Sequence, residues 1–216
     1  SGLNTRWTLG KLGSAYQLGS PTYFDQSGLN PGKWDKLSVA FWVNPNQWNN
    51  NDRLIDQQNT GPANGFTIVQ GGASATGSIQ FAIRSGTTSV ASLQVAVPNG
   101  SWTHIVGTQN NLTQEARIYL NGSLAVSDSS SYMSQVTGDT SLNIGKRTGG
   151  NSNYFSGLMD DIRFYNNELN ASDVTRIYNL GSGREENYLL RGIVETINFD
   201  GAENTQICKI TGRDYT

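Results

Sequence analysis

Apolar residues recur at every second position through a series of short runs, and turn-forming residues interrupt them. Ala15–Leu18, Leu37–Val43, Arg53–Asp56, Phe66–Gln70, Ser78–Arg84 and Ser89–Val97 are the runs of the first half. Trp102–Gln109, Glu115–Leu120, Leu124–Ser127, Leu142–Gly145 and Gly157–Tyr165 are those of the second. Period two marks a strand with one buried face. Asn64-Gly65, Gly71-Gly72, Asn99-Gly100, Asn121-Gly122 and Gly149-Gly150 separate the runs. Asn121-Gly122 predicts a tight hairpin, because both central positions of such a turn need positive φ. In Gly157–Tyr165, period two puts Leu158, Ile162 and Phe164 on one face and Met159, Arg163 and Tyr165 on the other. Asn170 or Ser172 can then cap a short helix that carries Val174, Ile177 and Tyr178 and ends at Gly181. Many short strands with one helix predict an all-β fold: two antiparallel sheets packed as a jelly-roll sandwich, followed by a β-hairpin-like tail.

Size and charge narrow the class. The 216 residues suit one all-β domain, or a domain with an appendage. Only 15% are charged and the net charge is -2, which argues against nucleic acid as a partner, since phosphate neutralisation needs a basic face. No apolar run reaches the roughly 18 residues that would predict membrane insertion. Cys208 is the single cysteine, so no internal disulfide is expected.

Four segments, in order, carry a family resemblance. They are Leu37-Ser-Val-Ala-Phe-Trp-Val-Asn-Pro45, Ser101-Trp-Thr-His-Ile-Val-Gly-Thr108, Ala116-Arg-Ile-Tyr-Leu-Asn-Gly-Ser-Leu-Ala125, and the strand-and-helix stretch from Phe155 to Tyr178. Together they resemble the laminin-G-like, or concanavalin A-like, jelly-roll domains over residues 14–180. Residues 1–13 then form a lead-in, 181–187 a linker, and 188–216 a β-hairpin fragment of an adjoining domain. Within that fragment, Arg191-Gly-Ile-Val-Glu195 and Ile210-Thr-Gly-Arg-Asp-Tyr215 resemble a segment of baseplate-hub proteins of contractile phage tails. That similarity implies other subunits of a large assembly as partners, and a place outside the cell or on a virion or tail surface.

Asp160 and Asp161 stand inside a strand, where charge is costly unless paired, exposed or bound to metal. The resemblance implies a structural Ca2+, held by Asp160, Asp161 and the early-chain Asp25 and stapling the first strand to the last. Calcium needs six to eight oxygens, so backbone carbonyls would complete the set. The alternative is an ion pair to Arg163 or Arg53.

Catalytic patterns are scarce. Neither the one-strand Glu-x-Asp-x-x-Glu of jelly-roll glucanases nor Gly-x-Ser-x-Gly occurs. His104, the single histidine, reads as a strand residue beside a core Trp, with a Tyr119–His104 lyase pair as the remaining enzymatic option.

The loops favour binding. A sugar offers an apolar face and a ring of hydroxyls, so its site wants an aromatic platform among fixed amides. Trp48 with Asn49 and Asn51, the Tyr132 segment, and Arg147, Asn151 and Tyr154 carry that chemistry. The expectation is a non-catalytic, lectin-like domain for a cell-surface polysaccharide. The alternatives are a structural or protein-binding domain of a large assembly, and an accessory or catalytic module of a polysaccharide-degrading enzyme.

Overall fold

A computed structural model describes residues 6–49, 51–59, 64–71, 77–86, 88–129, 132–137, 140–150, 152–181 and 207–209. Among the described residues the chain forms two antiparallel sheets and one α-helix. Its strands are β1 (Trp7–Leu9), β2 (Ser14–Leu18), β3 (Phe24–Gln26), β4 (Lys36–Gln47), β5 (Arg53–Gln58), β6 (Gly65–Gln70) and β7 (Ser78–Ser85). They continue with β8 (Thr88–Ala96), β9 (Thr103–Asn110), β10 (Glu115–Leu120), β11 (Ser123–Asp128), β12 (Leu142–Ile144) and β13 (Ser156–Tyr165). The helix α1 (Ala171–Gly181) and a short β14 (Ile207–Lys209) follow.

One sheet runs β1-β2-β13-β4-β9-β10-β11, with β14 beside the far half of β13. The other runs β3-β12-β5-β6-β7-β8. Alternation explains the core. Val39, Phe41 and Val43 of β4 meet Phe66 and Ile68 of β6 and Phe81 and Ile83 of β7 in one apolar layer between the sheets. The two sheets and the short helix are the predicted jelly-roll sandwich. The expected hairpin is the β10–β11 turn, with Asn121 and Gly122 both at positive φ. Two strands had no periodic signal: β1, which lies in the lead-in and pairs with β2, and β3, which is three residues long. Of the expected tail fragment, only Ile207–Lys209 lies within the described residues.

β13 corrects the strict alternation expected of it. Met159, Ile162 and Phe164 all enter the core. The register against β4 slips by one residue between Asp160 and Arg163, a β-bulge with Asp161 at φ 49. Aspartate is among the few non-glycine residues that tolerate this left-handed conformation. The bulge swaps faces, so Leu158 leaves the core and Met159 takes its place.

The outer face of the larger sheet is covered. Val174 and Ile177 of α1 pack on Ala40, Val106, Tyr119 and Leu169. Asn170 is the cap: its Oδ1 accepts the amides of Ser172 (2.9 Å) and Asp173 (3.0 Å). Ser38, fully buried on β4, ties down the approach to the helix. Its hydroxyl donates to the Asn167 carbonyl at 2.6 Å and accepts the Leu169 amide at 2.9 Å. Ser38→Ala leaves both backbone groups without that partner. It is expected to cost about 2 kcal/mol of unfolding free energy, measured by urea denaturation with an unchanged slope.

Candidate functional site

The outer face of the smaller sheet carries polar side chains. Asp25, Asn143, Asp56, Thr67 and Ala82 stand in register across β3, β12, β5, β6 and β7. Their chain neighbours Phe24, Ile144, Ile55, Phe66 and Ile83 point to the core. At the β3–β12–β5 end lies a cleft of about 530 Å³. β3 contributes Asp25, and the end of β5 contributes Gln58 with Asn59 behind it. The approach to β12 and the strand itself bring Thr140, Ser141 and Asn143. Lys146, Thr148, Gly149 and Gly150 close it from the following loop.

That loop is anchored at both ends and in the middle. The Gly145 amide donates to the Leu54 carbonyl at 2.8 Å, and the Phe155 amide to the Gly145 carbonyl at 3.0 Å. Gly145 has φ 88, and a Cβ there would stand 2.8 Å from Leu18 Cδ2, so a side chain is excluded on two grounds. The Arg53 amide donates to Asn153 at 3.0 Å. Asp56, fully buried, holds the centre. Its Oδ2 accepts the Thr148 amide at 2.7 Å, its Oδ1 the Gln58 amide at 3.0 Å, and its backbone carbonyl the Thr148 hydroxyl at 3.0 Å. Asn143 Nδ2 donates to Thr148 Oγ1 and the Ser141 carbonyl, and its buried Oδ1 has no partner among the described residues. Asn59 exchanges hydrogen bonds with Thr137 through both ends of its amide. The cleft is therefore walled by amides and hydroxyls whose orientations the sheet already fixes. At its rim the Lys146 ammonium sits 3.8 Å from the centre of the Tyr23 ring, and Tyr154 lies 6.1 Å from Tyr23.

The expected site residues divide. Asp25 lines the cleft; Arg147 lies in the loop that closes it, and Tyr154 packs beside Tyr23, but neither is among its lining residues. Asn151 lies outside the described residues. Trp48 is not a platform. It is 3% exposed, its Nε1 donates to the Val97 carbonyl at 3.1 Å, and its ring packs 5.7 Å from Phe155. Asn49 is used locally: its backbone and side-chain amides both donate to Asp52 Oδ2. Asn51 sits in the left-handed region, its amide on Gln70 Oε1. Tyr132 is exposed, but it does not line the cleft. Gln58, Asn59, Asn143 and Lys146 were missed. Asn143 is the outward residue of an alternating run, but its neighbours β3 and β5 are remote in sequence.

The expected calcium set is not assembled. Asp25 faces out from the smaller sheet and Asp160 from the larger, so the sandwich core of roughly 10 Å separates their strands. Asp160 Oδ2 instead accepts the Leu12 amide at 2.8 Å, and burial raises its carboxyl above the ordinary range. Asp161 grips Arg163 with both oxygens, at 2.9 and 2.7 Å, which is the ion-pair alternative. Among the described residues no group of three or more His, Cys, Asp or Glu side chains gathers where a metal could bind.

His104 lies on the opposite side of the molecule from the cleft. It is buried beside Trp42 and Tyr178, with ring centres at 5.0 and 5.8 Å. Burial first, and the Arg163 charge second, push its pKa down to about 3. Tyr119 lies in the apolar cluster beneath α1, so these two face no groove together.

The sequence pattern of the concanavalin A-like lectin/glucanases superfamily, in its laminin G branch, matches residues 19–175. The chain belongs to this superfamily. Its fold is shared by domain 4 of AbnA, an extracellular GH43 arabinanase from Geobacillus stearothermophilus, solved in complex with arabinotriose. That match has 24% identity and a TM-score of 0.64 over 80% of each chain. A heptameric SAP-like pentraxin from Limulus polyphemus matches at 15% identity and a TM-score of 0.60, over 79% of this chain and 84% of that one. A putative carbohydrate binding protein from Bacteroides ovatus matches at 14% identity and a TM-score of 0.61, over 77% of this chain and 47% of that one. Identities this low speak for the fold. No curated protein matches by sequence. Among the described residues of this superfamily member, no helix is long and apolar enough to cross a membrane.

Two outcomes are expected. Trp48→Ala removes a core ring and is expected to cost about 3–5 kcal/mol of stability, seen as a large fall in Tm. His104 is neutral in the fold at pH 7 and ionises near 6.5 when unfolded. Its folded pKa is depressed, so the unfolded chain takes up the proton first. Stability is then complete above about pH 6.5 and falls by up to about 1.4 kcal/mol per pH unit as the pH drops toward 3. Denaturation at stepped pH should show that slope in the parent and lose it in His104→Gln.

Proposed function

We propose that this domain is a non-catalytic carbohydrate-binding domain whose site is the cleft at the β3–β12–β5 end of the smaller sheet. The observation that carries the reading is the cleft's lining of pre-oriented amides and hydroxyls, with one carboxylate and one ammonium. Such groups match a sugar's hydroxyls, each of which both donates and accepts. Because the sheet holds them in place, little ordering cost falls on binding. Tyr23, against which the lining residue Lys146 packs, and its neighbour Tyr154 offer apolar surface next to the cleft for a sugar ring.

The same lining speaks against hydrolysis. Glycoside cleavage needs two carboxyls on opposite sides of the bond. Asp25 lines the cleft, but Asp56 beneath it is buried and already accepts from Thr148 and Gln58. The fold likeness to a domain solved with arabinotriose, in a protein described as an arabinanase, fits a binding role. A single open cleft binds weakly, and copies displayed together on a larger extracellular or tail assembly would raise the avidity for a cell-surface polysaccharide.

A glycan array followed by calorimetry on the purified chain tests this. Asp25→Ala and Asn59→Ala are expected to weaken binding of any hit about tenfold, while Tyr132→Ala leaves it unchanged. Binding that survives both cleft variants would place the site elsewhere.

A further inference from the structure

The hydrogen-bonding groups of the cleft are unevenly used. Every side-chain amide that lines it already donates within the fold. Gln58 Nε2 donates to Asp56 Oδ1 at 3.0 Å. Asn59 Nδ2 donates to the Thr137 carbonyl at 3.0 Å and to Thr140 Oγ1 at 3.3 Å. Asn143 Nδ2 donates to the Ser141 carbonyl at 3.0 Å and to Thr148 Oγ1 at 3.2 Å. Thr148 gives both its amide and its hydroxyl hydrogen to Asp56. The one cation, Lys146, is buried, with its ammonium set against the Tyr23 ring.

The acceptors are left over. Asn143 Oδ1 is the other end of an amide pinned through its nitrogen. It is buried and takes no hydrogen bond among the described residues. Asp25 stands opposite Asn143 in the β3–β12 register, on the same outward face, with Cα atoms roughly 5 Å apart. Its carboxylate is exposed and has no hydrogen bond or ion pair among the described residues. Asp56 follows in the same row on β5, buried beneath the cleft. The row Asp25, Asn143 and Asp56 therefore presents oxygens, while the donors around it are turned inward.

An ionised carboxylate only accepts hydrogen bonds. Its two oxygens suit two donors held side by side, which adjacent hydroxyls on a sugar ring provide. The Asn143 oxygen is covered, so it acts through its dipole, whose negative end adds to the field at the floor. A carboxylate or sulfate on the ligand would meet Asp25 as a like charge, with no side-chain amide free to receive it. The hydroxyls of Thr140 and Ser141 can turn either way and leave this polarity unchanged.

We propose that Asp25 determines specificity in the cleft by accepting hydrogen bonds from two adjacent hydroxyls of an uncharged oligosaccharide, and that the same polarity rejects uronate-bearing and sulfated chains. The inference rests on the cleft being a saccharide site.

The test uses the full chain with arabino-, xylo-, gluco-, manno- and galacto-oligosaccharides, their singly O-methylated forms, and matched uronate and sulfated chains. An O-methyl group keeps the ligand oxygen as an acceptor and removes its hydrogen. Methylation at either of two adjacent hydroxyls is expected to weaken binding at least about tenfold, as for one hydrogen bond to a charged group. The uronate and sulfated chains should be weaker than their neutral counterparts by at least about as much. Asp25→Asn, which keeps the shape and removes the charge, should close most of both gaps, whereas Asn59→Ala should weaken all ligands alike. Uronate or sulfated chains that bind as well as neutral ones, in a cleft still sensitive to Asn59→Ala, would overturn the inference and leave the saccharide cleft standing. O-methylation without effect at every hydroxyl would do the same. So would binding abolished by EDTA and restored by Ca2+, because a cation and not a hydroxyl would then meet Asp25. Binding indifferent to both variants, or no binding of any ligand by protein with an unaltered melting profile, would overturn the cleft and the inference together.

Discussion

Every long strand here has one apolar face, and the other sheet must cover it. Phe41 and Val43 on one side, with Phe66 and Phe81 on the other, close that layer. Once the inner faces are spent on each other, only the two outer faces remain, and they have different fates. α1 and the Leu12 segment lie over the larger sheet, sealing Trp42, His104 and Asp160 beneath them. The smaller sheet carries its polar residues outward and, among the described residues, has no α-helix packed over them. A cleft can form there because the fold does not need that surface for stability.

The cleft in turn depends on Asp56. A buried carboxylate costs free energy unless its oxygens find donors. Thr148 and Gln58 are those donors, so the site loop and the end of β5 are held by the need to satisfy one charge. The scaffold thus fixes the polar groups of the cleft through the same bonds that make it stable.

The strands were legible in the sequence because alternation and turn chemistry are local. Asn121-Gly122 announced its hairpin, and Asn170 its helix, through backbone demands that two or three residues decide. The site was less legible because it is assembled across strands remote along the chain: Asp25, Gln58 and Asn143 meet only in the order β3-β12-β5. Arg147 and Tyr154 could be nominated because their glycine-rich loop is itself a local feature. Trp48 misled for the opposite reason. Its neighbours in sequence are amides, but its neighbours in space are Phe155 and the Val97 carbonyl. The paired carboxylates were visible, but their partners were not: the Leu12 amide lies 148 positions from Asp160.

The bulge at Asp160–Asp161 carries a consequence for how this strand can change over time. It joins two apolar half-strands whose phases differ by one residue, and the doublet is the punctuation between them. Flattening the bulge at its present length would turn one half-strand inside out, with Met159 or the pair Ile162 and Phe164 facing water, whereas deleting one aspartate would put all three on a single period-two phase. The length of the doublet and the left-handed turn at Asp161 are therefore tied together: the strand can lose the extra residue only by losing the bulge with it, and can keep it only by keeping the bulge.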